Sequence, residues 1–222
     1  MNYTVNQSTI HYDARGSRAF GDDCVLLQHA IDLSAKTSWA AHGFSIEKLF
    51  TAELFQSFQE KTYPLLMDCW RRAGLSVPQN LELDCYHAIV PSWELHVRAL
   101  EKTKLLPTSE FPVDIMLIEQ RISEICQVDL QVKNPFDDQS VFHFRVIRPA
   151  SNDNNPLHRD VWLEDYKDCI NLYIPVAGSN EKSSLILIPG SHHWSESRIE
   201  KTIEGAEING VKFNVPDRKS VV

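Results

Sequence analysis

The sequence predicts an α+β protein, with helices through most of its first half and strands in its second. Two observations carry this. Between Ile46 and Cys126 the apolar residues recur at i, i+3, i+4 spacing, the period of a helix with one buried face. After Gln127 the period drops to two, in short runs rich in Val, Ile and Phe that are bounded by turn residues, as in strands.

Composition sets the frame. The chain has 222 residues, enough for one domain with a substantial core, with 43% hydrophobic and 23% charged residues. A formal charge of −8 disfavours a nucleic-acid partner, whose recognition rests on clustered Lys and Arg. The five cysteines (Cys24, Cys69, Cys85, Cys126, Cys169) form no C-x-x-C pair. Reduced thiols in a cytoplasmic protein are therefore expected. The sequence after Met1 has neither a basic segment nor an apolar one of signal-peptide type, and no apolar run approaches the ~20 residues that span a bilayer.

The first strands are expected at Tyr3–Val5 and Thr9–Tyr12, while Asp23–Leu33 fits strand or helix. Ile46, Leu49, Phe50, Leu54, Phe55 and Phe58 predict a helix from Ile46 to Thr62 with Ser45 as its N-cap. Pro64 should interrupt or restart it, and Gly74 should end it. Pro91, Trp93 and Leu95 open a second helix reaching about Lys102. Pro112 and Val113 open a third, with Ile115, Ile118, Ile122 and Ile125 inward, to about Cys126. Glu94, His96 and Glu119 read as solvated faces of these helices.

Val128–Val132 and Val141–Ile147 read as strands, the latter with Phe142, Phe144 and Val146 on one face and His143 and Arg145 on the other. Cys169–Val176 and Ser183–Ile188 are two further strand candidates joined by a turn. Asn209-Gly210 between apolar residues is a two-residue hairpin signal.

One stretch carries chemistry. His158 and Asp160 are two apart, so in an extended strand both project to the same side. An imidazole and a carboxylate presented together are two legs of the 2-His-1-carboxylate set that holds Fe(II) with open positions. They are followed by strand, turn, strand, and then Pro189-Gly190-Ser191-His192. This order, over roughly Phe142 to Trp194, resembles the phytanoyl-CoA dioxygenase-like family of Fe(II)/2-oxoglutarate oxygenases.

The resemblance implies a double-stranded β-helix (jelly-roll) core from about Val128 onward, flanked by the N-terminal helices, in a single domain over 1–222. It implies a dioxygenase that hydroxylates a small molecule, with His158 and Asp160 as metal ligands and 2-oxoglutarate as cosubstrate. Tyr173 stands where relatives carry Trp beside the cosubstrate, and Asn171 lies two residues earlier on the same face. Arg145 is a further cosubstrate candidate, because its guanidinium matches a carboxylate. In relatives a third ligand, a His, and a cosubstrate-binding Arg lie well beyond P-G-S-H. Here thirty residues follow His192, and His193 is their one His. The core is therefore expected to be C-terminally incomplete, with an open two-residue metal site and with His192 structural rather than ligating. The alternatives are a ligand-binding jelly roll without catalysis and a cupin-like metal enzyme.

Overall fold

The computed structural model describes residues 2–5, 7–11, 13–23, 32–104, 106–133, 140–149, 169–180, 185–208, 211–212 and 220–221. They belong to two compact units. One comprises Met1–Ser45, Ser151–Leu172 and Ser179–Val222; the other comprises Ile46–Ala150 and Tyr173–Gly178.

The second unit is helical. Helix α1 runs Ala52–Arg72, six residues later than Ser45 would start it. Thr51 is its N-cap, its Oγ1 accepting the Leu54 N–H at 3.2 Å. The aromatic stripe extends upstream of this cap for a separate reason. Phe50 sits just before Thr51 and stacks on Phe55 with ring centroids 6.4 Å apart, a hydrophobic staple that fixes the entry of the chain. Ile46, the first residue of the expected stripe, is almost fully exposed.

Pro64 does not stop α1. Its ring costs one i→i−4 hydrogen bond, but Phe58 and Thr62 before it and Leu66, Met67 and Trp70 after it are all buried, which holds both halves in one helix. At the end Gly74 takes φ +91°, as expected of a C′ glycine. The Gly74 and Leu75 N–H groups return to the Arg71 and Trp70 carbonyls at 2.9 and 3.1 Å, a Schellman close.

Helix α2, Trp93–Thr103, is capped by Ser92, and α3, Ile115–Cys126, by Asp114. Their ends fall within one residue of those expected, whereas their starts lie two and three residues after Pro91 and Pro112, which precede the caps instead of opening the first turn. α3 ends with Gln127 in the left-handed region at φ +55°. The expected strand Val128–Val132 forms no ladder among the described residues. Its backbone is claimed by α3 instead: Leu130 N–H donates to Ser123 Oγ at 2.9 Å and Val132 N–H to Glu119 Oε1 at 2.8 Å. Glu119 is thus a structural acceptor rather than a solvated charge.

Of Val141–Ile147, only Val141–Phe142 (β5) pairs as a strand, antiparallel to Leu106–Pro107 (β4). The alternation is nonetheless as expected: Phe142, Phe144 and Val146 are turned inward while His143 and Arg145 are exposed. One core cluster gathers Leu66, Met67, Cys69, Trp70, Tyr86, Ala99 and Phe144, and a second gathers Phe50, Phe58, Val113 and Ile118.

The first unit is built on ladders. Asn2–Val5 (β1) and Ser8–His11 (β2) form an antiparallel hairpin, as expected for the first strands. Ala14–Phe20 (β3) pairs with Glu200–Ile208 (β6), with register shifts around Gly16, whose φ of +114° suits a bulge. β6 also pairs with Val211–Lys212 (β7) and with Ser220–Val221 (β8). Ile208 stands opposite Val211, while Asn209-Gly210, the expected hairpin turn, lies outside the described residues. Asp23–Leu33, read as strand or helix, falls largely outside the described residues. Residues 169–176 and 185–188 carry no ladder among the described residues, although Leu185 to Ile188 alternate exposed and half-buried with period two. No helix among the described residues is long and apolar enough to cross a membrane.

Candidate functional site

His158 and Asp160 lie outside the described residues. Arg145, Asn171 and Tyr173 are described, and all three are exposed. Arg145 follows β5 at the i+2 position from His143, and both side chains leave the apolar face formed by Phe142, Phe144 and Val146. Lys104 lends its charge to the same neighbourhood: the shielding that the His143 ring has, and then the Lys104 ammonium, push the His143 pKa below its ordinary 6.5. A carboxylate approaching this face would meet cations. Tyr173 belongs to the helical unit and Asn171 to the ladder unit.

The P-G-S-H segment is well defined. Gly190 adopts φ +76°, which only glycine takes without strain, and Ser191–His193 form one 3-10 turn. The segment is held by a partner far away in sequence. Gly190 N–H donates to the His42 carbonyl at 2.9 Å, and His192 Nε2 donates to the Ala40 carbonyl at 2.7 Å. With Ala40 as acceptor, Nε2 carries the proton, which fixes the tautomer of a neutral ring.

Gly43, at φ +81°, lies so close beneath the His192 ring that a β-carbon there would overlap it. The His193 ring packs against that of His192, tilted, with ring centroids 3.8 Å apart. Asp32 completes the surround. Its carboxylate accepts from Ser34 Oγ at 2.7 Å and from Ser34 N–H at 2.9 Å. The Ser34 hydroxyl first, with His193 and His192 adding smaller contributions, holds the Asp32 carboxyl below its ordinary 3.8. His192 Nε2 is thus committed to a backbone carbonyl, and the ring helps hold residues 190–193 against 40–43.

Nothing local in the sequence hints at this clasp between residues 32–43 and 190–193, because its two halves lie some 150 residues apart. His96 also differs from the sequence-based expectation. Rather than facing solvent, the His96 side chain is fully buried, and its Nδ1 meets the Tyr86 hydroxyl at 3.1 Å.

One further group of potential ligands, Glu82, Asp84 and Cys85, brings its donor atoms within 4.8 Å of one another. Desolvation, then the Asp84 and Glu82 charges, raise the Cys85 thiol above its ordinary 9.0. A metal needs the thiolate, so the neighbours that would complete such a site also keep the proton on sulfur. Comparison of the chain with models of known protein families, with curated proteins and with solved structures returns no match.

Proposed function

We propose that this protein is an Fe(II)- and 2-oxoglutarate-dependent dioxygenase that hydroxylates a small molecule, built on a jelly-roll core. The observation that carries the reading is the pairing of His158-x-Asp160 with Pro189–His192 in one register of strand, turn and strand. The donor set suits the metal: an imidazole and a carboxylate are the hard-to-borderline ligands that Fe(II) takes with positions left open. The chemistry such a centre supplies when bound is O₂ activation coupled to oxidative decarboxylation of the keto acid to succinate.

The chain's own residues supply binding and orientation. Arg145 offers a planar guanidinium to a carboxylate, Asn171 a hydrogen-bonding amide, and Tyr173 an exposed ring face with a polar tip. The turn at Gly190 and the His192–Ala40 hydrogen bond support the reading, because they give His192 a structural task at the end of the Pro189–His192 segment. A small-molecule substrate, with neither nucleic acid nor membrane as partner, and a cytoplasmic location belong to the same proposal.

The test is anaerobic titration with Fe(II) and 2-oxoglutarate, followed by succinate measurement in air. The oxygenase should give a metal-to-ligand charge-transfer band and substrate-linked succinate, and His158→Ala should abolish both. Full 2-oxoglutarate turnover by His158→Ala would overturn the assignment. Keto-acid binding without any succinate would point instead to a jelly roll that binds without oxidising.

A further inference from the structure

Within the helical unit, four aromatic side chains form an unbroken row from interior to surface. Trp70, on α1, is 1% exposed, and its ring centroid lies 4.7 Å from that of Tyr86, which is 3% exposed. Tyr86 contacts the fully buried His96, on α2, with ring centroids 5.8 Å apart and the hydroxyl 3.1 Å from Nδ1. His96 in turn lies 5.5 Å from Trp93, at the start of the same helix and 45% exposed. The Arg148 guanidinium stands 5.5 Å over the Trp93 ring.

Close aromatic packing alone is ordinary core structure. Three features set this row apart. It joins the two most easily oxidised ring types, indole and phenol, at near-contact spacing. Its phenol has an imidazole positioned to receive its proton, without which a buried tyrosine cannot lose an electron cheaply. Its inner indole is enclosed, with Trp70 Nε1 buried and lacking any hydrogen-bond acceptor among the described residues, so an oxidised Trp70 cannot shed its proton and stay oxidised there.

We propose that Trp70, Tyr86, His96 and Trp93 form a path for oxidising equivalents between the core of the helical unit and solvent. The oxidant is a one-electron acceptor able to oxidise an indole, the class to which O₂-activating metal centres and peroxide-derived radicals belong. In the outward direction Trp70 gives one electron to the oxidant and becomes an indole radical cation. Tyr86 returns that electron to Trp70 while its phenolic proton moves to His96 Nδ1, leaving a neutral tyrosyl radical and an imidazolium.

Trp93 then supplies an electron to Tyr86, which takes its proton back from His96. The hole now sits at the surface, where the Trp93 N–H can release its proton to water; the Arg148 charge above the ring disfavours the cation and favours that release. An external thiol or ascorbate-type reductant restores Trp93 by supplying one electron and one proton. The net reaction moves one electron from that reductant to the oxidant, with His96 holding the proton only between steps.

The path does not rest on the iron reading, since it can be driven with an external oxidant in the metal-free chain. 3-Fluorotyrosine is incorporated at position 86, so that its radical is distinguishable by electron paramagnetic resonance from those of the other tyrosines. A bulky photogenerated ruthenium(III) oxidant, too large to reach the interior, is then applied. The expected result is a fluorotyrosyl signal that falls severalfold in Trp93→Leu, which removes the surface relay, and in His96→Gln, which removes the proton acceptor. Trp93→Leu alters a half-exposed position and decides the matter even if His96→Gln does not fold. Absence of the fluorotyrosyl signal, or its full survival in Trp93→Leu, would overturn the proposal.

Discussion

The two units of this chain are held by different kinds of contact. In the helical unit each of α1, α2 and α3 carries its own start signal within three residues: Thr51, Ser92 and Asp114 accept from Leu54, Leu95 and Met116. Its buried side chains then interlock in the aromatic and aliphatic clusters. In the ladder unit the decisive contacts join segments from opposite ends of the sequence: β3 with β6, and residues 32–43 with 190–193. The helical unit depends on burial and local capping, the ladder unit on backbone register and a few hydrogen bonds. Mutations should therefore be costly in different ways in the two.

The sharpest contrast comes from the helical core. Trp70→Ala should cost about 3–5 kcal/mol, the range for deleting a buried aromatic ring, and should remove amide protection across α1 and α2 in hydrogen-exchange measurements. Survival of that protection would mean the helical unit does not depend on its largest buried side chain. Gly43→Ala comes next. It adds a β-carbon against His192 at a φ of +81°, so a loss on the order of 1–3 kcal/mol is expected for a non-glycine residue held in that region. Its signature is exchange confined to 32–43 and 188–193; spread into α1–α3 would erase the distinction drawn here.

Smaller still, Thr51→Ala should cost roughly 1 kcal/mol while Ser45→Ala should cost almost nothing, by denaturant unfolding followed through helical circular dichroism. Equal losses would return the helix start to Ser45. The smallest effect is a pH dependence. Because the folded Asp32 pKa lies below its ordinary value, its stabilising contribution is complete above about pH 4 and is lost as pH falls through the folded pKa. Asp32→Asn should therefore speed exchange at 32–43 in the neutral range and flatten its acid limb, with little difference from the parent chain below the folded pKa.

How far the sequence could be read follows the same division. α2 and α3 were legible because periodicity, cap and proline all fall within a few residues of each other. The start of α1 was misplaced because Phe50 has helical spacing yet acts as a staple outside the helix. Pro64 was overvalued because its local cost is outweighed by burial on both sides, which no window of sequence displays. At 128–132 the period-two pattern was real, but Ser123 and Glu119 took the hydrogen bonds a strand partner would have used. His96 looked solvated because a single imidazole on an amphipathic helix gives no sign of a phenol ten residues earlier. Within the candidate site, the turn at Gly190 was readable from Pro-Gly-Ser, whereas the clasp on His192 depends on a contact spanning 152 residues.

The pairing of β3 with β6 also imposes an order on biosynthesis. Roughly 180 residues separate Phe20 from Glu200, so at about 5–20 residues per second the first strand waits about 10–40 s for its partner to be made. Meanwhile α1, α2 and α3 are already out of the ribosome and can pack locally. During that interval an unpaired β3 is a free strand edge on every nascent chain, exposed to its copies on neighbouring ribosomes of the same message. Chaperone demand in the cell should accordingly concentrate on the amino-terminal ladder strands and end with the synthesis of residues 200–208.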